Sequence, residues 1–127
     1  MAVRGLRGAI TVDADDPAEI LQRTTQLLTV LFERNGLTLD AVISIFFTAT
    51  RDLRTIAPAA AARAMGLTEV PLMCGQEMDV EGSLERCIRL LAHIETERPR
   101  SELRHAFLRD ATRLRPELAE PGDEVLG

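Results

Sequence analysis

The sequence predicts an α+β domain, α/β-like in its alternation, in which a mixed β-sheet carries helices on one face. The first observation is the order of segments, which alternate as strand, helix, strand, helix, strand. The second is size, since 127 residues suffice for one domain with its own core, which we assign to residues 1–127. The third is composition, because 46% apolar and 28% charged residues are typical of globular proteins.

The first predicted strand, residues 3–12, carries two arginines among small apolar residues. Gly5 and Gly8 in this strand indicate a bulge or a close backbone approach. Arg4 and Arg7 need an explanation, because arginine is rarely buried without a partner. Either these side chains reach solvent at the edge of the sheet, or an anion binds at least one of them.

A helix is predicted over residues 17–35. Asp16 is its N-cap, Pro17 is its first residue, and Glu19 occupies the capping-box position. Gly36 ends the helix. Its apolar face comprises Ile20, Leu21, Thr24, Leu27, Leu28, Leu31 and Phe32, which recur at helical spacing.

The middle of the chain predicts a strand, a short helix and another strand. Residues 41–50 are rich in Val, Ile, Phe and Thr, which favours a central strand covered on both faces. Residues 57–66 predict a short helix with Pro58 near its start and Gly66 at its end. Residues 69–73 predict the third strand.

Residues 83–96 fit both a helical and a strand period. Alternating apolar residues favour a strand, whereas the spacing of Leu84, Ile88 and Leu91 also suits a helix. We predict a helical turn at 83–86 and a strand over 87–96. One face of this strand then holds Cys87, Arg89, Leu91 and His93, opposite the apolar face. A guanidinium in the middle of a strand again requires a partner.

The C-terminal part predicts one more strand and a tail. Residues 104–108 predict a last strand. Residues 116–127 are polar and contain Pro and Gly, so we expect a mobile tail.

Composition excludes several partners and compartments. A net charge of -5, with four Phe and neither Tyr nor Trp, argues against nucleic acid. The chain has neither an apolar run of about 18 residues for a membrane span nor a signal peptide, so we expect a cytoplasmic protein. Cys74 and Cys87 are then expected to be free thiols.

The common catalytic motifs are missing. His93 and His105 lack zinc-ligand spacing, and neither a P-loop, GxSxG nor GxGxxG occurs, so we expect neither metal nor cofactor. The chain also contains no lysine, which excludes Schiff-base chemistry. All 15 basic residues are therefore planar, permanently charged guanidinium groups.

The remaining chemistry is a set of arginines at strand positions or strand ends, with one carboxylate nearby. Arg7 and Arg89, with Arg63 and Arg115 as further candidates, are able to hold a dianionic carboxylate substrate if they converge. Glu77, in a loop after a strand, is able to accept a hydrogen bond from a hydroxyl. For each arginine taken singly, a surface ion pair is the simpler explanation.

Five segments in order and spacing resemble the AroH-type chorismate mutase family: "RGLRGAITV", "FTATRDL", "PAAAARAMG", "VPLMCGQEMDVEGSLERCIRLL" and "RHAFLRDATRLRPEL". The likeness extends to about residue 118. It implies a ferredoxin-like, chorismate-mutase-like fold, a homotrimer that forms a pseudo-α/β-barrel, and active sites between subunits. It also implies the rearrangement of chorismate to prephenate on the way to phenylalanine and tyrosine, without a cofactor.

The resemblance assigns roles by position. Arg89 matches the arginine that reaches the ether oxygen and a carboxylate, and Arg7 matches the one that holds a carboxylate. Glu77 matches the carboxylate that binds the ring hydroxyl, with Cys74 beside it as a pocket wall. Arg4 is then expected on the opposite face, in a structural ion pair. The other substrate-binding positions are Arg63, Met73, Phe107 and Arg115.

Three positions depart from the family pattern. Ala57, Ala60 and Phe107 stand where the family often has phenylalanine, lysine and tyrosine. We expect a raised KM more than a lowered kcat, because these groups lie around the entrance of the site. Either Arg51 or Arg54 is a candidate to replace the missing lysine.

Two other functions remain open at this point. One is a trimeric small-carboxylate-binding or regulatory module on the same scaffold without turnover. The other is a structural interaction protein whose arginines are all surface charges.

Overall fold

The computed structural model describes residues 1–125 as a mixed five-stranded β-sheet with two α-helices. The strands are β1 (Ala2–Thr11), β2 (Val42–Ala49), β3 (Leu72–Gln76), β4 (Cys87–Thr96) and β5 (Ala106–Leu108), and the helices are α1 (Pro17–Asn35) and α2 (Ala59–Ala64). The order across the sheet is β3-β2-β4-β1-β5. The predicted α+β fold with a mixed sheet is confirmed.

Strand β4 occupies the middle of the sheet. The ambiguous segment 83–96 therefore contains a strand and not a helix. It runs antiparallel to both β1 and β2, while β3 and β5 extend the sheet as parallel neighbours of β2 and β1. Ile88, Leu90 and Ile94 are buried at alternating positions, as the period of two predicts. The predicted strand over 87–96 is therefore confirmed.

Helix α1 begins and ends where its capping residues predict. The Asp16 side chain accepts a hydrogen bond from the Glu19 backbone N–H at 2.9 Å. The Glu19 carboxylate reaches further back than a simple capping box, and accepts from the N–H groups of Asp13 (2.8 Å) and Ala14 (3.1 Å). Gly36 ends the helix in the left-handed conformation, with φ of 60°.

Gly8 allows α1 to lie directly on β1. A Cβ at this position would lie 3.0 Å from Leu31 Cδ1 and 3.2 Å from Leu27 Cδ1. The glycine therefore marks a close approach, which was one of the two alternatives. The bulge alternative is wrong, because the pairing of β1 with β4 is continuous from Ala2 to Thr11.

The two helices share one core on one face of the sheet, and much of the other face, which we call the open face, is exposed in a single chain. Residues of α1 and α2 pack together with the buried side chains of the sheet. On the open face, Val3 is 60% exposed, Met73 66%, Phe46 41% and Leu91 37%. The prediction that residues 41–50 are covered on both faces is therefore wrong for one chain. Helices α1 and α2 pack on the other side, and the 3₁₀ turn Arg109–Arg113 covers this face only beside Ala9 and Cys87.

Several boundaries differ from the prediction. Strand β3 covers Leu72–Gln76 and not the predicted 69–73. It begins after Pro71, because this residue has no N–H to donate and only its carbonyl joins β2. The helical turn predicted at 83–86 is absent from the described chain, where Arg86 adopts a positive φ of 47°.

Helix α2 and strand β5 are both shorter than predicted. Helix α2 covers Ala59–Ala64 within the predicted 57–66, and Gly66 follows it with φ of 105°. Strand β5 covers only Ala106–Leu108 of the predicted 104–108.

The C-terminal segment contacts the end of α1. It contains two short 3₁₀ turns, at Pro116–Leu118 and Asp123–Val125. Asp123 is 1% exposed and forms an ion pair with Arg34. The predicted mobile tail covers 116–127, whose last two residues lie outside the described part, and its mobility stays a prediction.

Candidate active site

A cavity of about 220 Å³ lies on the open face of the sheet. It is lined by Arg7, Phe46, Thr48, Glu77, Arg89, Leu90 and Leu91. The three residues that the sequence predicts as catalytic, Arg7, Glu77 and Arg89, therefore converge on one space. A surface ion pair is the simpler explanation for one arginine alone, but two arginines on one cavity are able to bind a dianionic carboxylate together.

Strand register explains the convergence. On β4, Arg89 lies opposite Ala9 of β1 on one side and opposite Thr48 of β2 on the other. Arg7 is two residues before Ala9, so its side chain lies on the same face as Arg89. Glu77 follows β3 directly, and its N–H donates to the Ala49 carbonyl at 2.8 Å.

Arg89 and Glu77 form a partly buried pair with an incomplete set of hydrogen bonds. Arg89 Nε lies 3.4 Å from Glu77 Oε2, and the two side chains are 25% and 23% exposed. Thr48 Oγ1 donates to the same Glu77 oxygen at 2.6 Å. Arg89 Nε is shielded from solvent and has no hydrogen-bond partner among residues 1–125. Glu77 therefore gives this nitrogen an ionic partner without hydrogen-bond geometry.

Arg7 is held on several sides. Its Nε donates to the Leu90 carbonyl at 3.2 Å, and its guanidinium carbon lies 5.9 Å from the centre of the Phe107 ring. Burial, and then the charge of Arg89, lowers the pKa of Arg7 from its ordinary value. The group stays charged at neutral pH, so two adjacent cations face one cavity.

Arg115, in the C-terminal segment, lies near these two arginines but does not line the cavity. Its positive charge lowers the pKa values of Arg7 and His105. For His105 this effect is second to burial, and for Arg7 it is smaller than both burial and the charge of Arg89. Its side chain is 52% exposed and its Nε lies 2.5 Å from Glu117 Oε1. We call Arg7, Glu77, Arg89, Phe107 and Arg115 the arginine cluster.

Cys74 lies on the opposite face of the sheet from the arginine cluster. It pairs in register with the core residue Phe47, and it is an odd number of residues from Glu77. The prediction that Cys74 lies beside Glu77 is therefore wrong within one chain. With Arg54 and Ala57, Cys74 lines a separate cavity of about 360 Å³, which we call the Cys74 cavity.

The other predicted residues divide between the two faces. Met73 neighbours Phe46 in the register and is exposed on the open face. Arg63 is exposed on α2, on the helix side. Arg51 borders the Cys74 cavity but also forms an exposed ion pair with Asp79, Nε to Oδ2 at 3.3 Å.

Within residues 1–125, Arg4 does not form the expected ion pair. Among residues 1–125, its guanidinium has no carboxylate within 4.0 Å, and its Nε is buried without a hydrogen bond. Its backbone lies opposite Ile94 on β4, which agrees with a position on the opposite face from Arg7.

Sequence reasoning missed two polar residues beside the arginine cluster. Thr48 is polar, with Ser44, in a mostly apolar strand, and period-two alternation from Phe46 places it on the face of Arg89, so a signal existed. His105 accepts a hydrogen bond from the Arg7 N–H at 3.0 Å. Nothing in the sequence points to this contact, because the pairing depends on the register of β5.

Residues 3–118 match the family model described as chorismate mutase type I. The chain belongs to this family. It is 47% identical over 117 residues to the chorismate mutase AroH of Thermus thermophilus, covering 91% of this chain and 96% of that protein. It is 42% identical over 120 residues to the chorismate mutase AroH of Bacillus subtilis (strain 168), covering 94% of each.

A solved structure has the same fold. The chorismate mutase from Clostridium thermocellum superimposes with a TM-score of 0.84 at 45% identity, covering 86% of this chain and 97% of that one. The resemblance to the chorismate mutase family, stated from five sequence segments, is therefore confirmed. No helix within residues 1–125 is long and apolar enough to cross a membrane.

Proposed function

We propose that this chorismate mutase, an isomerase, converts chorismate to prephenate in a site built by two neighbouring subunits. The arginine cluster of one subunit supplies the charges, and the Cys74 cavity of the next supplies the opposing wall. The observation that carries the proposal is the convergence of Arg7 and Arg89 on one cavity, with the Glu77 carboxylate paired to Arg89.

The reaction requires little more than these groups. In the rearrangement the ether C–O bond breaks while a new C–C bond forms within the same molecule, so neither a base nor a nucleophile is needed. Arg7 and Arg89 hold the dianionic substrate in its compact conformer. Arg89 also donates to the ether oxygen as negative charge develops there, which stabilises the transition state more than the ground state.

Glu77 has a binding role and also keeps Arg89 in place. Its carboxylate accepts from Thr48 and attracts Arg89, so both neighbours fix its orientation. In this position it accepts a hydrogen bond from the ring hydroxyl of the substrate. Cys74, Met73, Arg63, Phe107 and Arg115 complete the proposed binding surface.

The two half-sites support assembly into a homotrimer with a pseudo-α/β-barrel and active sites in the clefts between subunits. The arginine cluster and the Cys74 cavity lie on opposite faces of one sheet, so one chain alone does not bring them together. The open face carries exposed Val3, Phe46, Met73 and Leu91, which are apolar side chains of the kind that a subunit interface buries.

We place the reaction in the cytoplasm. Cys74 and Cys87 are both free, and Cys74 is exposed at a proposed subunit contact. A reducing compartment keeps such a thiol unoxidised.

The first experiment follows the loss of chorismate absorbance with wild-type protein, Arg89→Ala and the matched control Arg100→Ala. Arg100 is exposed in the 3₁₀ turn before β5 and belongs to neither half-site. We expect prephenate from wild type and control, and a kcat about 100- to 1,000-fold lower in Arg89→Ala, as when an oxyanion donor is removed. A folded wild-type protein that binds chorismate without turnover would instead establish the carboxylate-binding module.

The second experiment tests the shared site by mixing subunits. Arg89→Ala disables the arginine cluster, and Cys74→Trp fills the exposed Cys74 cavity. If the two halves come from different subunits, co-refolding the two inactive variants restores intact sites, about one quarter of the total at random mixing. Activity that stays at the level of the separate variants would show that each site belongs to one chain.

A further inference from the structure

The His105 side chain replaces a strand carbonyl at the end of the β1–β5 pairing. Strand β5 begins at Ala106, which pairs with Gly8, so the parallel ladder starts one residue after Arg7. The Arg7 N–H would have no strand partner there, and His105 Nδ1 accepts its hydrogen bond at 3.0 Å. The backbone of a substrate-binding arginine therefore depends on an imidazole.

We propose that His105 is a positioning residue, which in its neutral form holds the backbone of Arg7 so that the guanidinium meets a substrate carboxylate. The proposal rests on the proposed function, in which Arg7 binds that carboxylate. It adds a residue with a defined tautomer to the site, with the proton on Nε2 and the lone pair on Nδ1. A ring nitrogen that accepts from an N–H carries no proton of its own.

The surroundings of the ring keep it neutral. Burial, then Arg115 and then Arg7, lowers the pKa of His105 from its ordinary value. On the backbone side, Arg34 of α1 donates to the His105 carbonyl at 3.2 Å, and Arg34 itself is paired with Asp123. The positive charges of Arg115 and Arg7 therefore oppose protonation of the imidazole.

The contacts of Arg7 explain why one hydrogen bond affects binding. The Leu90 carbonyl and the Phe107 ring contact the guanidinium of Arg7, while His105 holds its backbone N–H. Loss of the acceptor leaves the partly buried Arg7 N–H without a hydrogen bond. We expect the β1 backbone at Arg7 to shift so that this N–H finds another acceptor. A carboxylate contact formed before and during the reaction then weakens, which raises KM more than it lowers kcat.

The test compares His105→Asn and His105→Leu with wild type. The Asn side-chain oxygen lies near the position of Nδ1 and accepts without titrating, whereas Leu fills similar volume without an acceptor. We expect Leu to raise KM about tenfold, the size of one lost hydrogen bond, with kcat changed less than about twofold. Asn should restore KM to within about threefold of wild type.

The pH profile separates hydrogen bonding from charge. As pH falls through the pKa of His105, the ring loses its acceptor, so KM of wild type should rise while KM of His105→Asn changes less. If KM of wild type instead falls at low pH, the added charge helps to bind the dianion and the proposal is wrong.

A double-mutant cycle tests whether His105 acts through Arg7. In an Arg7→Ala background, His105→Leu should change KM little, because the arginine it positions is gone. An undiminished tenfold effect there would overturn the proposal and show a separate role.

Thermal unfolding of each variant identifies those that are merely unfolded. Absence of turnover in the wild type would refute the proposed function, whereas turnover that is insensitive to His105→Leu would refute only this inference.

Discussion

Replacing Asp123 by Ala should destabilise the protein although Asp123 lies only a few residues from the C-terminus. Asp123 is 1% exposed, forms an ion pair with Arg34, and accepts a hydrogen bond from the Glu120 N–H at 2.8 Å. Arg34 is itself only 13% exposed. The variant therefore leaves a largely buried guanidinium without its main partner.

The expected loss follows from what remains around Arg34. Removing one member of a buried ion pair costs about 3–5 kcal/mol when the other charge is left unpaired. Here Arg34 keeps the His105 carbonyl at 3.2 Å and the Glu120 carboxylate at 3.8 Å. We therefore expect a loss of about 2–3 kcal/mol in the free energy of unfolding, below the full cost of an unpaired charge.

The assay is urea unfolding at fixed protein concentration, with Arg34→Met and the double variant as controls. The double variant should lose less free energy of unfolding than the two single variants together, because it leaves no buried charge without a partner. A change below about 0.5 kcal/mol for Asp123→Ala, the range of ordinary surface substitutions, would refute this reasoning. It would mean that the segment is detached in solution, as the predicted mobile tail implies.

Three further predictions concern packing, binding and reactivity. Gly8→Val should destabilise the protein by about 1–3 kcal/mol in urea unfolding, because the new side chain overpacks against Leu31, and Gly8→Ala should cost less. Phe107→Tyr should lower KM for chorismate about three- to tenfold with little change in kcat, since it adds one hydroxyl beside the carboxylate that we propose Arg7 binds. Burial raises the pKa of Cys87 to about 11, so iodoacetamide at neutral pH should modify exposed Cys74 and leave Cys87 intact, as measured by mass spectrometry.

Each of these has an outcome that contradicts it. Equal stability of Gly8→Val and wild type would mean that α1 does not lie against β1. An unchanged KM in Phe107→Tyr would place the ring away from the substrate. Two adducts on folded protein would mean that Cys87 is accessible.

Acid should weaken the C-terminal contacts in a defined direction. The hydrogen bond from Arg104 lowers the pKa of Glu120 below its ordinary 4.5. The pair therefore contributes its full stability above pH 4.5 and loses it as pH falls through the lower, folded value.

Local signals predicted the elements that depend on near neighbours in the sequence. The capping residues of α1 and the alternation in β4 fixed those elements, because caps and periodicity are short-range properties. The sequence predicts a start of strand β3 that is three residues too early, because the apolar residues on either side of Pro71 look alike in sequence. Its start is decided by pairing with β2, which is a tertiary property.

The candidate site was predictable in its charges and not in its geometry. A mid-strand arginine, Arg89, and a second one, Arg7, indicated an anion from sequence alone, because burial of an unpaired charge is costly. The separation of Cys74 from Glu77 follows from strand alternation, but only once β3 is known to include Cys74. The role of His105 depends on the register of β5 against β1, which no local pattern specifies.

The hydrogen bond from Arg7 Nε to the Leu90 carbonyl limits the direction from which an anion reaches Arg7. A guanidinium offers two edges for a bidentate contact, one formed by Nε with one terminal nitrogen and one formed by the two terminal nitrogens. The first edge is occupied by the protein itself. Only the terminal edge remains, so a planar carboxylate has to arrive end-on and in the plane of the guanidinium. Arg7 thus selects the orientation of its ligand as well as its charge, and rigid dicarboxylates whose groups meet that plane should bind more tightly than flexible ones of equal charge.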